Sequence, residues 1–560
     1  MVAGIDVGNS TTEVLLARVD GGGVEVVGVA RSPTRRGKGS PESLAGAVAL
    51  VRRLERQYDV RASCAVAALL RPVVNSRVSL PEDVPDTGRL ALVTAGSTTA
   101  GGRGFGAGPP VPVGDVPAGG EPVVVVVPSD AGYESVAARL APLVVAGRVA
   151  AVLVEDDEAV LLSNRLPGEV PVVDEVDAAA ALAADRVAVE VAGRGQPMRV
   201  LTDPLKLRAA LRLSVPELAD AAQLARLLFD AANAVVTVGG SARDTDPPCP
   251  GWIEVAQHGR QPFLEGHELV RAGAVGDALA YGLPPDCARH EVDDLWTVDL
   301  AAVGAAVQAR VGAASHRPVT LAALRSAAPY ADPAPSLADL LDVPVRAVEA
   351  EARAGWAGAM STSGAGTASV VVDLGGGTID TISPATDVVA AGAGDLLTEA
   401  VAALTGITSA AAEWVKRGPA YRVEAPQVLL AEDGTRAFQD RPAPNDAVGR
   451  LVVPSAVGLL PFSRSMAPGE WRALRVRLKV ELVGGNVARG LRTLGEQPRS
   501  VVVVGGLAGD DEILAAVSGA LPAGTAVGRG DVAGTLGHRY AVAYGLALLE
   551  AVDEGASFTG

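Results

Sequence analysis

Two short stretches of the sequence carry the same arrangement of carboxylates, glycine and threonine. They are "AGIDVGNSTTE" and "VVVDLGGGTID", and their shared frame D-x-G-x-x-T-x-[DE] consists of Asp6, Gly8, Thr11 and Glu13 in one copy and of Asp373, Gly375, Thr378 and Asp380 in the other. Backbone N–H groups of a glycine-rich turn can bind phosphate together with neighbouring hydroxyl groups. Carboxylates beside phosphate suit a hydrated Mg²⁺. The repeated frame therefore predicts two turns that hold the phosphates of one nucleotide.

The residues of the two turns divide into two predicted roles. Asp6 and Asp373 close their strands and should face each other across a cleft, so they are the candidate catalytic residues that would organise Mg²⁺. The candidate phosphate-binding residues are the glycines and hydroxyls of the turns: Gly8, Ser10 and Thr11 in the first turn, and Gly375, Gly376, Gly377 and Thr378 in the second.

A third glycine motif lies in "RSVVVVGGLAGDDEILAAVSGAL", near the end of the chain. Gly505 and Gly506 stand between a run of valines and a helical pattern, which suits the close approach of a flat adenosine to the backbone. Any one of the three motifs alone is also typical of a structural turn. Their occurrence together, in this order, favours a nucleotide site.

The residues that follow the first two turns indicate the type of turn. The chain continues with "STTEVLLARV" and "TIDTISPATDVV", whose β-branched and alternating residues predict that each turn joins two antiparallel strands. A Rossmann or Walker loop would instead lead into a helix, and no G-K-[ST] lysine is present.

The pattern around the turns alternates between strands and helices and indicates an α/β protein of roughly three to four domains. Residues 1–85 read as strands and a helix that begins after Ser40. Residues 86–245 contain a strand–helix–strand block, "PVVVVVPSD" to "VAAVLVEDD", and form a candidate inserted domain. Residues 246–560 would complete the first fold, with smaller insertions near 290–345 and 415–470.

The composition excludes several classes of function. Lys and Arg number 48 against 65 Asp and Glu, a formal charge of −17, which disfavours nucleic acid as a partner. Cys64, Cys249 and Cys287 form no C-x-x-C pair, which argues against a disulfide framework, an iron–sulfur cluster and a zinc site. No apolar run reaches the roughly 18 residues of a membrane span, and no basic region of a signal peptide precedes the first strand. We expect a cytoplasmic protein with no membrane partner.

The ordered set of glycine motifs resembles the actin-like ATPase superfamily, which includes actin, the seventy-kilodalton heat-shock chaperones and sugar kinases. The resemblance implies an actin-like (ribonuclease H-like) α/β fold of two lobes that close about a hinge. It also implies ATP or ADP and Mg²⁺ as ligands.

More of the chain resembles one branch, the large subunit of diol dehydratase and glycerol dehydratase reactivating factors. The matching stretches are "AGIDVGNSTTEV", "TAGGRGFGAG", "SNRL" followed by "PVVDEV", "AVEAEA", "AGAGDLLT" and "GHRYAVAYGLAL". The resemblance implies a chaperone-like ATPase that removes damaged, adenine-lacking cobalamin from an inactivated adenosylcobalamin-dependent dehydratase. Its partners would be that B12-dependent dehydratase and a small reactivase subunit, in a heterotetramer of two large and two small subunits. Residues 86–245 would be the swivelling domain of the family.

The resemblance implies further nucleotide contacts. Asn9, Ser10 and Thr11 would lie at the nucleotide in the first turn. Glu413 and Lys416 match a helix that contacts the nucleoside, although an acid and a base three residues apart are also typical of a surface helix pair.

A metal site in the swivelling domain is implied in the same way. Its ligands would be Thr99, Asp157 and Asp174, and such oxygen ligands suit Mg²⁺ or Ca²⁺. Without the family, Asp156, Asp157 and Glu158 are most simply the solvated acidic end of a strand, and the choice among these three stays open.

The sequence leaves other functions open. The segment at 290–345 is shorter than its counterpart in the family, which puts the target enzyme in doubt and keeps a reactivator of ethanolamine ammonia-lyase as an alternative. An actin-like metabolic kinase and a filament-forming protein are the rivals from other classes. An activator of radical reductases is disfavoured because the cysteine pair for a bridging cluster is absent. Association with a bacterial microcompartment stays open as well.

Overall fold

The structure is a computed structural model. It describes residues 1–20, 23–71, 73–79, 88–96, 101–129, 131–156, 158–193, 196, 198–228, 231–239, 251–283, 287–307, 319–327, 330–349, 351–455 and 458–557.

The helices and strands follow one another along the chain in four parts. The first part contains β1 (Val2–Val7), β2 (Thr11–Asp20), β3 (Gly23–Pro33), α1 (Pro41–Tyr58), β4 (Cys64–Ala68) and β5 (Val73–Ser79). The second contains β6 (Leu90–Gly96), β7 (Gly104–Gly108), β8 (Pro110–Pro112), β9 (Val123–Val127), α2 (Tyr133–Val145), β10 (Val149–Val154), α3 (Ala159–Ser163), β11 (Val172–Val173), α4 (Ala178–Leu182), β12 (Arg186–Val191), α5 (Pro204–Leu211), α6 (Leu218–Leu227) and β13 (Asn233–Val238).

The third part contains β14 (Trp252–Val255), β15 (Gly259–Pro262), α7 (Phe263–Ala272), β16 (Ala278–Gly282), β17 (His290–Asp299), α8 (Leu300–Ala306), β18 (Val319–Ser326), α9 (Ala334–Leu341), β19 (Val345–Val348) and α10 (Glu351–Ala359). The fourth contains β20 (Val370–Leu374), β21 (Thr378–Ile382), β22 (Asp387–Ala391), α11 (Gly394–Thr405), α12 (Ser409–Val415), β23 (Tyr421–Ala425), β24 (Val428–Leu430), β25 (Arg436–Phe438), β26 (Leu451–Ser455), β27 (Gly458–Ser463), α13 (Pro468–Lys479), α14 (Gly485–Leu494), β28 (Ser500–Val504), α15 (Asp511–Ala520), β29 (Ala526–Arg529) and α16 (Ala541–Ser557).

Two five-stranded sheets have the same topology. The first has the order β19-β4-β1-β2-β3, and the second has the order β22-β21-β20-β28-β29. In each sheet the central strand pairs antiparallel with the strand that follows it in sequence and parallel with a later strand. The prediction that each glycine turn joins two antiparallel strands is confirmed, and each turn occupies the equivalent place in its own sheet.

Helices α10 and α16 pack between the two sheets. One buried cluster combines Leu15 and Ala17 of β2 with Val371 of β20 and with residues of both helices. The two helices approach closely at Gly545. A Cβ there would lie 1.8 Å from the carbonyl oxygen of Ala354, so a side chain would not fit. The two lobes therefore share a helical layer as well as a cleft.

Helix α1 begins directly after Ser40, as predicted. Ser40 caps the helix by accepting a 3.1 Å hydrogen bond from the Ser43 N–H, and Pro41 follows at the first helical position. Buried apolar residues of α1, including Leu50 and Leu54, pack against Ile5 of β1 and thereby hold the strand that ends in Asp6.

The second part of the chain forms two sheets of its own. One is parallel, with the order β11-β10-β9-β8, and the other is antiparallel, with the order β6-β13-β12-β7. Their facing valines, such as Val124 and Val189, share one buried cluster. The domain boundaries near residues 86 and 245 stay a prediction.

Two further sheets complete the molecule. A six-stranded sheet has the order β15-β14-β16-β17-β18-β5 and so joins the early strand β5 to the third part of the chain. An antiparallel sheet with the order β25-β24-β23-β26-β27 lies within the predicted insertion at 415–470. Within the described ranges, no helix is both long and apolar enough to cross a membrane. Cys287 is disulfide-bonded, a bond that the spacing of the cysteines did not predict.

Candidate functional site

The two glycine turns have the same internal geometry. In the first, the Gly8 N–H donates a 3.0 Å hydrogen bond to the carbonyl oxygen of Thr11, and in the second the Gly375 N–H donates a 3.0 Å bond to that of Thr378. The strand register pairs the two acids of each frame, Asp6 with Glu13 and Asp373 with Asp380. Like charges directly opposite each other destabilise a sheet. The repeated acid pairs are therefore better explained by a ligand than by strand pairing.

The turns of the two lobes touch each other. A Cβ on Gly376 would lie 1.8 Å from the Ser10 hydroxyl oxygen, and a Cβ on Gly377 would lie 3.0 Å from the Asn9 side-chain carbon Cγ. Glycine is needed at both positions because the opposite turn leaves no room for a side chain. The first turn thus lies directly against the second.

Asp395, in the first turn of α11, links the lobes across this contact. Its carboxylate accepts a 3.0 Å hydrogen bond from Asn9 Nδ2 and a further bond from the Ser10 hydroxyl. Its N–H donates to the carbonyl oxygen of Gly376 at 2.8 Å. Asn9 is held further by two hydrogen bonds with the backbone of Val73, at the start of β5.

A cleft of about 760 Å³ of empty space, partly open to solvent, lies beside the turns. Its lining contains the predicted residues of both turns together with Gly505 and Gly506: Asp6, Gly8, Asn9, Ser10, Thr11, Asp373, Gly375, Gly376, Gly377 and Thr378. Asp6 and Asp373, which lie 367 positions apart in the sequence, thus face one cavity.

The cleft brings several carboxyl groups close together. Burial raises the pKa of Asp6 well above its usual value, and the neighbouring Glu351 and Glu13 raise it further. Burial likewise raises the pKa of Asp373, with Asp380 as the next cause. Burial and the charge of Glu351 raise the pKa of Asp380 to about 7. Burial first, and the neighbouring carboxylates second, thus favour the protonated form of these three acids.

Three cationic side chains also line the cleft, each with an acidic partner. Lys38 Nζ lies 3.1 Å from Glu351 Oε2. Arg539 Nη1 lies 3.0 Å from Glu13 Oε1, and Arg71 forms an ion pair with Asp293. Burial alone would lower the pKa of Lys38, but Glu351 and Asp6 raise it above its ordinary value.

The remaining acids fit a hydrated cation. Asp6, Asp373 and Asp380 have no ion pair to Lys or Arg among the described side chains, and Asp380 Oδ1 is buried without a hydrogen-bond partner. The described residues contain no cluster of three or more His, Cys, Asp or Glu side chains that could hold a metal ion by themselves. Mg²⁺ usually keeps several waters and binds through one or two carboxylates plus phosphate oxygens. The donor set therefore suits Mg²⁺ beside a nucleotide and does not suit a cage made only of protein ligands.

Gly505 and Gly506 follow β28, and a short helical turn leads from them into α15, as predicted. Gly505 has a φ of +90°, and a Cβ there would lie 2.3 Å from Asp373 Oδ1. Glycine is therefore required at position 505, because a side chain would collide with Asp373. Gly506 contacts the cleft from the same side, where its carbonyl oxygen accepts a 3.3 Å bond from Arg539. Contact with adenosine stays a prediction.

Glu413 and Lys416 do not line this cleft. Lys416 is buried and donates to the carbonyl oxygen of Gly394 at 2.9 Å and to Thr398 Oγ1 at 2.7 Å, while its ion pair with Glu413 measures 2.5 Å. The pair therefore fastens α12 to the start of α11, behind the second turn. A nucleoside contact of these two residues stays a prediction.

The predicted metal site of the second part of the chain can be placed only in part. Asp174 is half-buried and follows β11, which ends at Val173. Thr99 and Asp157 lie outside the described residues, so this ligand set stays a prediction.

Several residues of the cleft were not predicted from the sequence. Lys38, Arg71, Glu351, Arg539 and Asp395 all lie in or beside it. Glu351 and Asp395 occur in the stretches "AVEAEA" and "AGAGDLLT", which carried the resemblance, but no role was assigned to them. Lys38 stands between two glycines, which is only a weak indication of a binding loop, and the structure shows that it lines the cleft.

Two sheets of one topology, each presenting an acid-tipped glycine turn to a shared cleft, define an actin-like (ribonuclease H-like) ATPase fold. The comparisons with known proteins narrow this class. A sequence model described as "Diol dehydratase reactivase ATPase-like domain" matches residues 283–550, and one described as "DD-reactivating factor swiveling domain" matches residues 90–241. Both models describe parts of diol dehydratase reactivases, so the chain is similar to that family over most of its length, as the resemblance implied.

Relatives and solved structures agree with this assignment. The propanediol dehydratase-reactivating factor large subunits of Citrobacter freundii and Salmonella typhimurium are each 29% identical to the chain, with 98% of both chains covered in each comparison. The structure of a diol dehydratase-reactivating factor in nucleotide-free form is 25% identical, with a TM-score of 0.57 and coverage of 98% of this chain and 99% of that one. A glycerol dehydratase reactivase structure has the same TM-score at 23% identity, over 98% and 100% of the two chains, and shows the shared fold.

Proposed function

We propose that the protein is the ATP-hydrolysing large subunit of a factor that reactivates an adenosylcobalamin-dependent diol or glycerol dehydratase. The observation that carries this proposal is the pair of acid-tipped turns that meet at one cleft, in a chain that matches reactivase large subunits over 98% of its length. The proposed activity is the release of damaged cobalamin, so that intact coenzyme can replace it.

The cleft residues divide the work of binding and hydrolysis. Backbone N–H groups of the two turns, with the hydroxyls of Ser10, Thr11 and Thr378, would bind the phosphates of ATP or ADP. Asp6 and Asp373 would hold a hydrated Mg²⁺, which when bound supplies positive charge that offsets the phosphates. Water would attack the terminal phosphorus, the bond to the bridging oxygen would break, and ADP and phosphate would leave. Carboxylates at the strand ends would orient that water.

The inserted part of the chain would respond to whether ATP or ADP is bound. We assign residues 1–85 and 246–560 to the ATPase and residues 86–245 to the swivelling domain, with Thr99, Asp157 and Asp174 as its candidate metal ligands. Lobe closure on ATP would bias this domain between a small reactivase subunit and the dehydratase. We assign a heterotetramer of two large and two small subunits to the working factor. We assign its action to the cytoplasm.

A reactivation assay tests the proposal. Glycerol-inactivated dehydratase is incubated with the purified large and small subunits, ATP, Mg²⁺ and fresh coenzyme, and the recovered activity is measured. The wild-type factor should restore activity. The variant Asp373→Asn should lose about 100-fold or more of its ATPase rate, together with reactivation.

The control is Asp387→Asn, which removes an exposed carboxylate at the start of β22 in the same sheet. This variant should behave like the wild type. Failure to reactivate any dehydratase with any matching small subunit would refute the proposal. Strong stimulation of ATP consumption by a small polyol alone would instead indicate a kinase.

A further inference from the structure

Lys38 is the cleft residue whose position the proposed function does not yet explain. Its side chain is only 10% exposed, and its ammonium group lies 3.1 Å from Glu351 Oε2. The neighbouring Arg35 and Arg36 are exposed instead. A buried lysine in a loop of exposed arginines indicates a specific task for this ammonium group.

The loop that carries Lys38 is fixed at both ends. At its start, the Thr34 N–H donates to the Ser10 carbonyl oxygen at 2.9 Å, and the Thr34 hydroxyl donates to that of Gly8 at 2.8 Å. At its end, Ser40 caps α1. The glycines on either side of Lys38 have φ values of +101° and +91°, a conformation that a side chain would strain. The loop thus holds the lysine against the first phosphate turn.

The other two cations of the cleft are committed to structural contacts. Arg539 bonds to Glu13 and to the carbonyl oxygen of Gly506. Arg71 pairs with Asp293, and its guanidinium group lies 3.9 Å from the centre of the Tyr330 ring. Lys38 has three N–H donors, and Glu351 is its one hydrogen-bond acceptor among the described residues. Its ammonium group can therefore donate to a ligand without losing its present partner.

We propose that Lys38 binds the terminal phosphate of a nucleoside triphosphate and so distinguishes the triphosphate from the diphosphate. This inference rests on the proposed function, because it assumes a nucleotide in this cleft. Lys38 belongs to the loop beside the first turn, whereas Gly505 and Gly506, the predicted nucleoside contacts, belong to the other lobe. The lysine is thus placed for the phosphate end of the ligand. Glu351 holds the ammonium group in position before the ligand arrives.

The pair of Lys38 and Glu351 would also couple hydrolysis to the position of α10. Glu351 is the first residue of α10, the helix that packs against α16 between the two sheets. With a triphosphate bound, Lys38 would connect the terminal phosphate to this helix. Once phosphate has left, only the bond between Lys38 and Glu351 would remain.

Binding measurements on three variants test the inference. Affinities for ADP and for a non-hydrolysable ATP analogue, both with Mg²⁺, are measured by calorimetry on the wild type, Lys38→Met, Lys38→Arg and the matched control Arg35→Met. Lys38→Met should bind the analogue about 10- to 100-fold more weakly and ADP about as well as the wild type. Lys38→Arg should retain most of the preference for the triphosphate, and Arg35→Met all of it.

Equal losses for both ligands, or no loss for either, would overturn the inference while leaving the nucleotide site intact. A wild type that binds neither ligand would overturn the proposed function itself.

A second measurement needs no variant. Chemical acylation of Lys38 in the wild type, followed by mass spectrometry, should be slowed by the ATP analogue and not by ADP. Lys206, whose side chain is 55% exposed in the inserted part of the chain, is the control whose labelling should not change. Equal protection of Lys38 by the two nucleotides would contradict the proposed role.

Discussion

Five carboxylates line the cleft, and two of them have a cationic partner among the described side chains. Glu351 pairs with Lys38 and Glu13 with Arg539, so Asp6, Asp373 and Asp380 are the cleft acids without an ion pair among the described side chains. Burial first, and then the neighbouring carboxylates, make the ionisation of these three acids unfavourable in the nucleotide-free protein. This crowding of carboxylates favours a cation that arrives with its phosphates. The acids thus lower the stability of the nucleotide-free protein and raise its affinity for a cation bound with phosphates.

The titration of Asp380 gives a prediction about stability. Burial raises its pKa to about 7 in the folded protein from an ordinary value of 3.8, so between these values the folded state holds a proton that the unfolded state has released. The stability from this group is therefore complete at low pH and is lost as the pH rises toward 7.

Asp380→Asn should remove that loss. In nucleotide-free and metal-free protein, its thermal midpoint at pH 8 should exceed that of the wild type by about 3 °C, and the gap should be clearly smaller at pH 5. Differential scanning calorimetry at the two pH values measures this, with Asp387→Asn as the exposed control. A gap that is the same at both pH values would contradict the assigned pKa.

The contact between the two turns depends on a few elements that come from distant parts of the chain. β1, β2, β20 and β21 supply the turns, while α11 supplies Asp395 and β5 supplies the backbone that orients Asn9. Asp395 accepts hydrogen bonds from Asn9 and from Ser10, and the proposed function assigns the Ser10 hydroxyl to phosphate. A phosphate that enters the cleft would therefore compete with this carboxylate for the Ser10 hydroxyl. The exchange would change a contact of α11.

Asp395→Ala should loosen the contact between the lobes. The loss of its bonds to Asn9 and Ser10 should cost about 1–3 kcal/mol of local stability. Hydrogen exchange should accelerate in the peptides that span residues 8–11 and 375–378. Glu399→Ala is the matched control, because that carboxylate, also on α11, bonds to Ser409 within its own lobe. Unchanged exchange in the first turn would show that Asp395 does not join the lobes.

Much of this arrangement could be predicted from the sequence, and the rest depended on contacts over long separations. The turns, their antiparallel strands and the meeting of Asp6 with Asp373 followed from local patterns and from the repetition of one frame. Lys38, Asp395 and Arg539 could not be found in that way, because their partners lie hundreds of positions away. For Glu413 and Lys416 the packing places the pair behind the second turn, which a spacing of three residues cannot reveal.

Within the described residues, contacts between the lobes include the meeting of the two turns and the layer formed by α10 and α16. The first is polar and includes few residues, whereas the second is apolar and closely packed, with Gly545 against Ala354. Motion that opens the cleft should therefore break the polar contact and pivot about the helical layer. The inserted sheets, which extend from β6 to β13, branch from the chain after β5, whose first residue is bonded to Asn9. A change at the first turn thus has a short route to these sheets, through the hydrogen bonds of Asn9 and along β5.

A crystal structure with Mg²⁺ and a non-hydrolysable ATP analogue would show whether the two turns bind one nucleotide. The two terminal phosphates should lie between residues 8–11 and residues 375–378, with a hydrated cation beside Asp6 and Asp373. Phosphates bound outside this cleft, or a cation with neither aspartate near it, would contradict a nucleotide site formed by the two turns.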